Sequence, residues 1–381
     1  MLTLAELTGR SPHAIAAEIS RLVDDGTLAP GERLPTVREI AGQLGVSAGT
    51  VSAAWRALSG AGVLVSRGRA GTFVRRERRE WLSSRVVGMT GTGDDVQLDL
   101  SLGTPDPAML PDLDAALGRL APRADTGHYH DRPILAELEA VLRESWPTPG
   151  VETLTIVDGA LDGISRTLEQ VLRFGDRVIV ESPGFPHFFD LVEALGAEIV
   201  PVELDRDGVT SASLVRALST KPAAMLLQPR AQNPTGISMS VERARALARV
   251  LTTAPSGRAV TIIEDDHSAL ISSAPPVTLA RWLPQQVVHV RSFSKSHGPD
   301  LRIGALGGPA RIVERVVARR MLGPAWTSRL LQTVLWDLLT ASGPHARVRT
   351  ARLIYRDRID RLAVALRRLG VDVGDPDGIN L

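Results

Sequence analysis

"RSFSKSHGPDLRIG" fills residues 291–304, and its reading decides what the larger part of this chain is. One lysine, Lys295, stands among the hydroxyl residues Ser292, Ser294 and Ser296, just past the apolar run "VVHV". Arg302 follows about two helical turns later. A lysine in such a place is either a solvated loop residue or a nucleophilic amine whose hydroxyl neighbours hold something anionic.

The surrounding segments decide between the two. "LTIV", "RVIVES", "AEIVPVEL", "AAMLLQP", "AVTIIEDD", "VVHVRSF" and "IGALGG" read as buried strands, and "LDGISRTLEQVL" and "VERARALARVL" as amphipathic helices between them. Such alternation predicts a mostly parallel α/β sheet. Ligands in these sheets sit at the C-terminal ends of the strands. Gly159, Ala160 and Leu161 follow the first strand and open a helix whose free N–H groups form an anion site. Phe185 follows the second strand and forms a pocket wall. Asn233 lies in "RAQNPTG", and Asp265, Asp266 and His267 leave the next strand together. Any one of these is an ordinary turn former. Together with Lys295, at successive strand ends, they point to one site.

The chemistry that these groups share is that of pyridoxal phosphate (PLP). A lysine amine condenses with the cofactor aldehyde to a Schiff base. An aspartate keeps the pyridine nitrogen protonated, so the ring acts as an electron sink. An asparagine holds the ring hydroxyl, an aromatic residue stacks on the ring, and helix-end amides, serines and an arginine hold the phosphate.

From residue 97 onward the chain resembles fold-type I aminotransferases. The resemblance makes Lys295 in "SFSK" the Schiff-base lysine and Asn233 in "NPTG" the ring-hydroxyl ligand. It makes Asp265, in preference to Asp266, the partner of the pyridine nitrogen. Ser292 and Arg302 match phosphate ligands, with Ser294 beside them, and Phe185 matches the stacking aromatic. His267 stands where relatives usually carry a tyrosine near the ring hydroxyl; an imidazole donates a similar hydrogen bond but titrates near neutrality.

Residues 1–75 have a different pattern. Ser11 and Pro12 open a helix with Ile15, Ile19, Leu22 and Val23 on one face. Thr36 and Glu39 form a capping box before Val37, Ile40, Ala41 and Leu44, and Gly45 ends that helix. Ser47 caps a third helix, with Val51, Ala54, Trp55 and Leu58 inward and Ala48, Gly49, Thr50, Ser52 and Arg56 outward. "VLVSRGRAGTFV" reads as a hairpin turning about Gly68 and Gly71, with Arg67 and Arg69 at its tip. This order describes a winged helix-turn-helix, whose third helix enters a major groove while the arginine wing reaches phosphate or the minor groove. The stretch resembles the GntR-type winged helix. That resemblance implies DNA contacts from Arg38, Ser47, Thr50 and the Gly71 turn. Ala48 stands where many relatives carry arginine, so one contact is expected to be missing.

Residues 76–96, "RRERREWLSSRVVGMTGTGDD", are charged and then Gly/Thr-rich, and read as a linker. A GntR winged helix joined in this way to an aminotransferase-like domain is the MocR architecture, and "PRAQNPTG", "EDDH" and "SKSHGPDLR" look closest to a PtsJ-like branch of it. The expected fold class is therefore α/β, an N-terminal winged helix-turn-helix plus a fold-type I aminotransferase-like domain over 97–381.

Bulk properties agree. The 381 residues are 44% hydrophobic, enough for a large core and more than one domain. With 44 Lys+Arg against 43 Asp+Glu, any basic surface must be local. The chain has no cysteine, so thiolate metal sites and disulfides are excluded. No segment reads as a membrane span or signal peptide, and a cytoplasmic location is expected.

Three functions compete: a PLP-responsive regulator that dimerises through its larger half and binds duplex DNA, a working aminotransferase with a tethered DNA-binding domain, and a regulator whose larger half is a scaffold without cofactor. The family resemblance points to the first, in vitamin B6 or amino-compound metabolism. "GVDVGDPDGINL" reads as the start of a small-domain strand that relatives continue. The aminotransferase relatives grip a substrate carboxylate with an arginine beyond this point, so at most weak transaminase activity is expected. Arg347, Arg349 and Arg352 are expected to be solvated.

Overall fold

The structure, a computed structural model, describes residues 7–60, 62–66, 71–75, 85, 103–120 and 128–381. The chain forms two compact units. In the N-terminal unit, Ser11 accepts a hydrogen bond from the Ala14 amide and Pro12 fills the first turn of α1 (Pro12–Asp24). Helix α2 (Val37–Leu44) carries the full Thr36/Glu39 capping box and stops at Gly45, which is left-handed at φ 64°. Ser47 Oγ accepts from the Thr50 amide at 3.1 Å at the start of α3 (Ala48–Gly60). Two short antiparallel strands follow, β1 (Leu64–Ser66) and β2 (Thr72–Val74). Ile15, Ile19, Ile40, Val51, Leu58 and Val74 share one core, as the helical periodicity predicts.

The wing has a third member that hairpin patterning does not show. The Gly31 amide donates to the Val74 carbonyl at 2.9 Å and the Leu34 amide to Thr72 at 2.8 Å, with Arg33 paired to Phe73. The expected wing-tip residues Arg67 and Arg69, with Gly68, lie outside the described residues, as does the expected linker apart from Arg85.

The larger unit is built on one eight-stranded sheet in the order β3-β10-β9-β8-β7-β4-β5-β6. The strands are β3 (Thr153–Val157), β4 (Arg177–Ser182), β5 (Glu198–Asp205), β6 (Gly208–Val209), β7 (Ala224–Leu227), β8 (Thr261–Asp266), β9 (Val287–Ser292) and β10 (Gly304–Gly308). The helices are α4 (Leu113–Leu120), α5 (Ala136–Glu144), α6 (Ala160–Val171), α7 (Pro186–Ala194), α8 (Ser211–Leu218), α9 (Val241–Thr253), the single turn α10 (Ser294–His297), α11 (Ala310–Met321), α12 (Arg329–Thr340) and α13 (Ser342–Arg368).

The centre of the sheet, β4-β7-β8-β9, is parallel. Every residue of β7, β8 and β9 is buried, which explains their near-continuous apolar runs; a strand covered on both faces has no reason to alternate. One apolar cluster joins the sheet to α8 and α9 through Leu214, Leu218, Leu247 and Leu251. Another joins it to α5 and α12 through Leu138, Leu142, Val334 and Leu338. Strand β10 runs antiparallel to both β3 and β9. Its first residue, Gly304, pairs with Val157 and with Ser292, so the chain entering β10 returns to the C-terminal ends of β3 and β9. That topology brings Arg302 to the edge where Lys295 and the Asp158–Gly159 turn lie.

The segment after α13 is not the expected strand. Residues 371–381 contain no regular strand; side-chain anchors hold the segment in place, as described below.

Candidate cofactor site and DNA-binding surface

Lys295 rises on α10, one residue beyond Ser294, and Ser292 Oγ accepts from the Ser294 amide at 3.2 Å to close the turn. Its Nζ donates to the Gly103 carbonyl at 2.7 Å. Burial pushes the amine pKa below the ordinary lysine value, with Asp265 pulling the other way. A desolvated amine holds its proton less firmly, so more of it is nucleophilic at neutral pH.

The Asp158–Gly159 turn and Arg302 form a cup. Gly159 has φ 97°, which an L side chain rarely adopts. A Cβ there would lie 2.6 Å from Arg302 Nη2. The guanidinium donates to the Asp158 carbonyl at 3.3 Å, and Arg302 is itself left-handed at φ 48°. Helix α6 starts at this cup with no side-chain hydrogen bond at its N-cap. The first-turn amides, which an α-helix leaves without intrahelical acceptors, make up its positive end. Asp158 is anchored from behind: its carboxylate accepts from Arg320 Nη2 at 3.0 Å and from Thr327 Oγ1 at 2.6 Å.

The paired aspartates divide by strand parity. Successive side chains of β8 point to opposite faces. Asp266 closes a buried ion pair with Arg230, whose Nη2 lies 2.7 Å from Oδ2, with His289 Nε2 3.6 Å away. Arg230 and His289 hold its carboxyl far below the usual range against the cost of burial. On the next strand His289 Nδ1 meets Glu264 at 3.0 Å, completing a network of paired charges. Asp265 is different. Its Oδ2 accepts from Gln228 Nε2 at 2.9 Å, while Oδ1 is buried with no hydrogen-bond partner. Burial raises its pKa to about 7. A cationic ring N–H at Oδ1 would satisfy the orphan and draw the pKa back down. The cup and the orphan are what a phosphorylated pyridinium fits.

Asn233 follows β7, and its amide donates to Gln228 Oε1 at 2.9 Å. Phe185 stacks on His187 with centroids 4.7 Å apart and meets Phe188 edge-on at 5.3 Å. His267 differs from expectation. Its Nε2 is bonded to the Ala231 carbonyl at 2.8 Å and its Nδ1 lies 3.3 Å from Ser268 Oγ. Burial and Lys295 lower its pKa to about 4. The imidazole is a neutral brace for the 231–236 loop, with its donor directed at protein rather than at a ring hydroxyl, and it does not titrate near neutrality.

Several residues of this neighbourhood carry roles that sequence patterning does not assign. Gln228 and Gln232 are polar residues directly after an apolar strand, a signal that was available. Gln232 Oε1 accepts from Thr235 Oγ1 at 2.6 Å, and its Nε2 donates to the Pro183 carbonyl at 2.9 Å. Asp377 and Asn380 had no local signal. The Asp377 carboxylate accepts from the Ser273 and Ala274 amides at 2.8 and 3.1 Å and from Ser272 Oγ. Asn380 Nδ2 donates to the Ala231 carbonyl at 3.1 Å. Residues 377–380 are thereby held against the NPTG loop. Nor are all three arginines of α13 merely solvated: Arg347 donates to the Ala108 carbonyl at 2.5 Å and Arg352 to Leu270 at 2.8 Å.

In the N-terminal unit Arg38, Ser47, Ala48 and Gly49 are exposed. Ser47 Oγ and Thr50 Oγ1 lie 2.9 Å apart, so both hydroxyls sit at the amino end of α3, the end that enters a groove in helix-turn-helix readers. Gly71 has φ 110°, and a Cβ there would meet Arg33 Nε at 2.8 Å. Arg33, which no sequence motif singles out, packs against Gly71.

Comparison with known proteins agrees with both halves. The family described as "Bacterial regulatory proteins, gntR family" matches residues 13–74, and "Aminotransferase class I and II" matches residues 96–380. The chain is 36% identical over 380 residues to the vitamin B6 salvage pathway transcriptional repressor PtsJ of Salmonella typhimurium, covering 98% of this chain and 85% of that one. It is 30% identical over 364 residues to the pyridoxine biosynthesis transcriptional regulator PdxR of Corynebacterium glutamicum, covering 91% and 77%. Its fold is similar to that of Pyrococcus horikoshii kynurenine aminotransferase, solved with PMP, at a TM-score of 0.61 and 20% identity over 70% of this chain and 69% of that one. A winged helix and an aminotransferase fold in one polypeptide define a class of transcription regulators. The chain belongs to the MocR group of GntR-family regulators.

Proposed function

We propose that this protein is a PLP-responsive transcription regulator of vitamin B6 metabolism that binds duplex operator DNA as a homodimer in the cytoplasm. The observation that carries the reading is the Asp265 carboxylate, buried with one oxygen orphaned and electrostatically coupled to Lys295, in a chain that also carries a winged helix. The names of PtsJ and PdxR support the B6 assignment. We further propose domains at 1–75 and 97–381 joined by a linker at 76–96, which the two family matches at 13–74 and 96–380 support. Winged-helix dimers read paired half-sites, which supports the dimeric reading. Among the described residues no helix is long and apolar enough to cross a membrane.

When bound, PLP supplies an aldehyde that condenses with an amine, a pyridine ring that takes a proton, and a phosphate dianion. Each demand has a residue in this chain. Lys295 offers an amine whose proton is loosened by burial. Asp265 offers Oδ1 to a ring N–H. Arg302 and the amides of Gly159, Ala160 and Leu161 offer donors for the phosphate, with Ser292 and Ser294 beside Lys295. Asn233 offers a side-chain amide for the ring oxygen, and Phe185 offers a ring face. A ligand that prefers one arrangement of the DNA-binding halves shifts their equilibrium by its differential affinity, and no turnover is needed.

The deciding experiment selects duplex DNA from a random pool with the full-length protein, with and without PLP, and measures affinity for the selected site in both states. PLP-dependent affinity, lost in Lys295→Ala, is expected. Equal affinity in both states, with the spectrum of added PLP unchanged from that of free PLP, would remove the effector reading. Rapid transfer of an amino group from an amino acid in a single-turnover assay would favour an enzyme.

A further inference from the structure

Gln228 is not among the groups offered to the cofactor above, yet it touches both ends of the proposed ring site. Its side chain is 3% exposed. Nε2 donates to Asp265 Oδ2 at 2.9 Å, and Oε1 accepts from the Asn233 amide at 2.9 Å. Its backbone amide donates to Glu181 Oε2 on β4 at 2.9 Å. One planar amide thus links the Asp265 carboxylate on β8 to the loop after β7, and its main chain is tied to the neighbouring strand.

We propose that Gln228 is the positioning residue of the cofactor site, holding Asp265 and the Asn233 loop at fixed separation and leaving one carboxylate oxygen, Oδ1, for the ring N–H. The proposal rests on the PLP reading and deepens it. An amide is suited to the task because it donates at one end and accepts at the other. The Asp265 oxygen that Gln228 serves is satisfied and the one it does not serve is orphaned. Without the bridge, the carboxylate could rotate about its terminal torsion, a soft degree of freedom, and the orphan would no longer be aimed.

The same bridge sets the proton affinity of Asp265. Burial raises that affinity and the Gln228 hydrogen bond opposes the rise. The charged groups that act on Asp265 are Asp266 on its own strand, His289 on β9 and Lys295 on α10, and Asp265 in turn acts on Glu181 of β4. Of these, Asp266 works with burial, and Lys295 and His289 work against it. Removing the Gln228 donor leaves them in place, so the Asp265 pKa must rise.

The test uses full-length protein and Gln228→Met, which keeps the chain length, removes both hydrogen bonds and leaves the backbone bond to Glu181. Gln228→Glu is the second variant; it keeps the acceptor for Asn233 and, when ionised, removes the donor to Asp265. Carboxyl-labelled aspartate NMR follows Asp265, assigned with Asp265→Asn, in PLP-free protein. A titration midpoint higher by about one unit or more in Gln228→Met, and PLP affinity lowered tenfold or more in both variants, are expected. A merely structural residue would lower thermal stability and leave the midpoint where it was. An unchanged midpoint in folded Gln228→Met overturns the proposal, as does unchanged PLP affinity. Wild-type protein that fails to bind PLP would instead remove the cofactor reading, and the PLP-free titration would still decide whether Gln228 governs Asp265.

Discussion

A Cβ on Gly159 would lie 2.6 Å from Nη2 of Arg302, so the absence of a side chain at one residue makes room for the cation of the other. The two come from opposite ends of the larger unit's sequence order: Gly159 follows β3, and Arg302 precedes β10, which pairs with β3 antiparallel. Gly159→Ala should therefore strain the φ 97° backbone and displace the guanidinium together. PLP affinity is expected to fall by a factor of about ten to a hundred, with about 1 kcal/mol or more lost from folding. Cofactor titration by absorbance and thermal unfolding measure the two effects separately.

Lys295→Ala should abolish the protein-bound Schiff-base absorption band that distinguishes bound from free PLP, and its borohydride trapping, while thermal unfolding stays close to wild type. Trapping that persists in the variant would move the attachment to another lysine. Asp265→Ala should retain trapping through Lys295 and weaken PLP binding, because the ring nitrogen loses its ionic partner.

Glu181 gives the pH dependence a definite sign. Burial raises its folded pKa to about 8 from an ordinary value of 4.5. Between those values the folded chain keeps a proton that the unfolded chain has released. Its contribution to stability is complete below the unfolded value and is lost as pH rises toward the folded one. Glu181→Gln should remove this loss. Cofactor-free wild type is then expected to lose a few kcal/mol relative to the variant between the two values, on the order of 1.4 kcal/mol for each pH unit crossed. His267 and His297, both lowered to about 4, act in the opposite sense at lower pH. They are present in both proteins and cancel in the difference in denaturant-unfolding free energy, which reads Glu181 together with its coupling to Asp265, raised to about 7 and acting in the same sense. Identical pH profiles would show that Glu181 is ionised in the folded state.

Removing Arg38, exposed at the second helix of the winged unit, should weaken duplex binding at all sequences. It should also flatten the log–log salt slope by about one unit for each phosphate that is no longer neutralised. The same is expected of Arg69. Anisotropy titrations across a salt series measure the slope; a variant that changes sequence preference while leaving the slope intact would make the residue a base reader instead.

Thr36→Ala should cost the winged unit about 1 kcal/mol, because Thr36 Oγ1 accepts from the Glu39 amide and Glu39 answers to the Thr36 amide at 2.7 Å. A chemical-denaturation transition assigned to that unit measures the change.

The sequence by itself determined the two-part architecture, the long strands of the larger unit's sheet, and the candidates at their ends. Local rules reach that far: a capping box such as Thr36/Glu39, a glycine stop such as Gly45, and the apolar runs of β7 to β9 are properties of neighbours along the chain. Lys295 was legible as a candidate because an amine set among serines, directly after a buried strand, stands at the ligand-binding edge of a parallel sheet. Tertiary structure decided what depends on partners distant in sequence. Asp265 and Asp266 are alike in sequence, and only the positions of Gln228, Arg230 and His289 make one an orphaned acceptor and the other half of an ion pair. His267 carries no sign in "EDDH" that the carbonyl of Ala231 would take its donor. "GVDVGDPDGINL" has strand-like spacing, yet Asp377 and Asn380 are fixed by residues about a hundred or more positions earlier, so side-chain anchoring rather than a ladder holds it. The physical reason is common to all three. A polar side chain's role is set by which donor or acceptor reaches it, and in a sheet whose strand order departs from sequence order that partner arrives from another strand or loop.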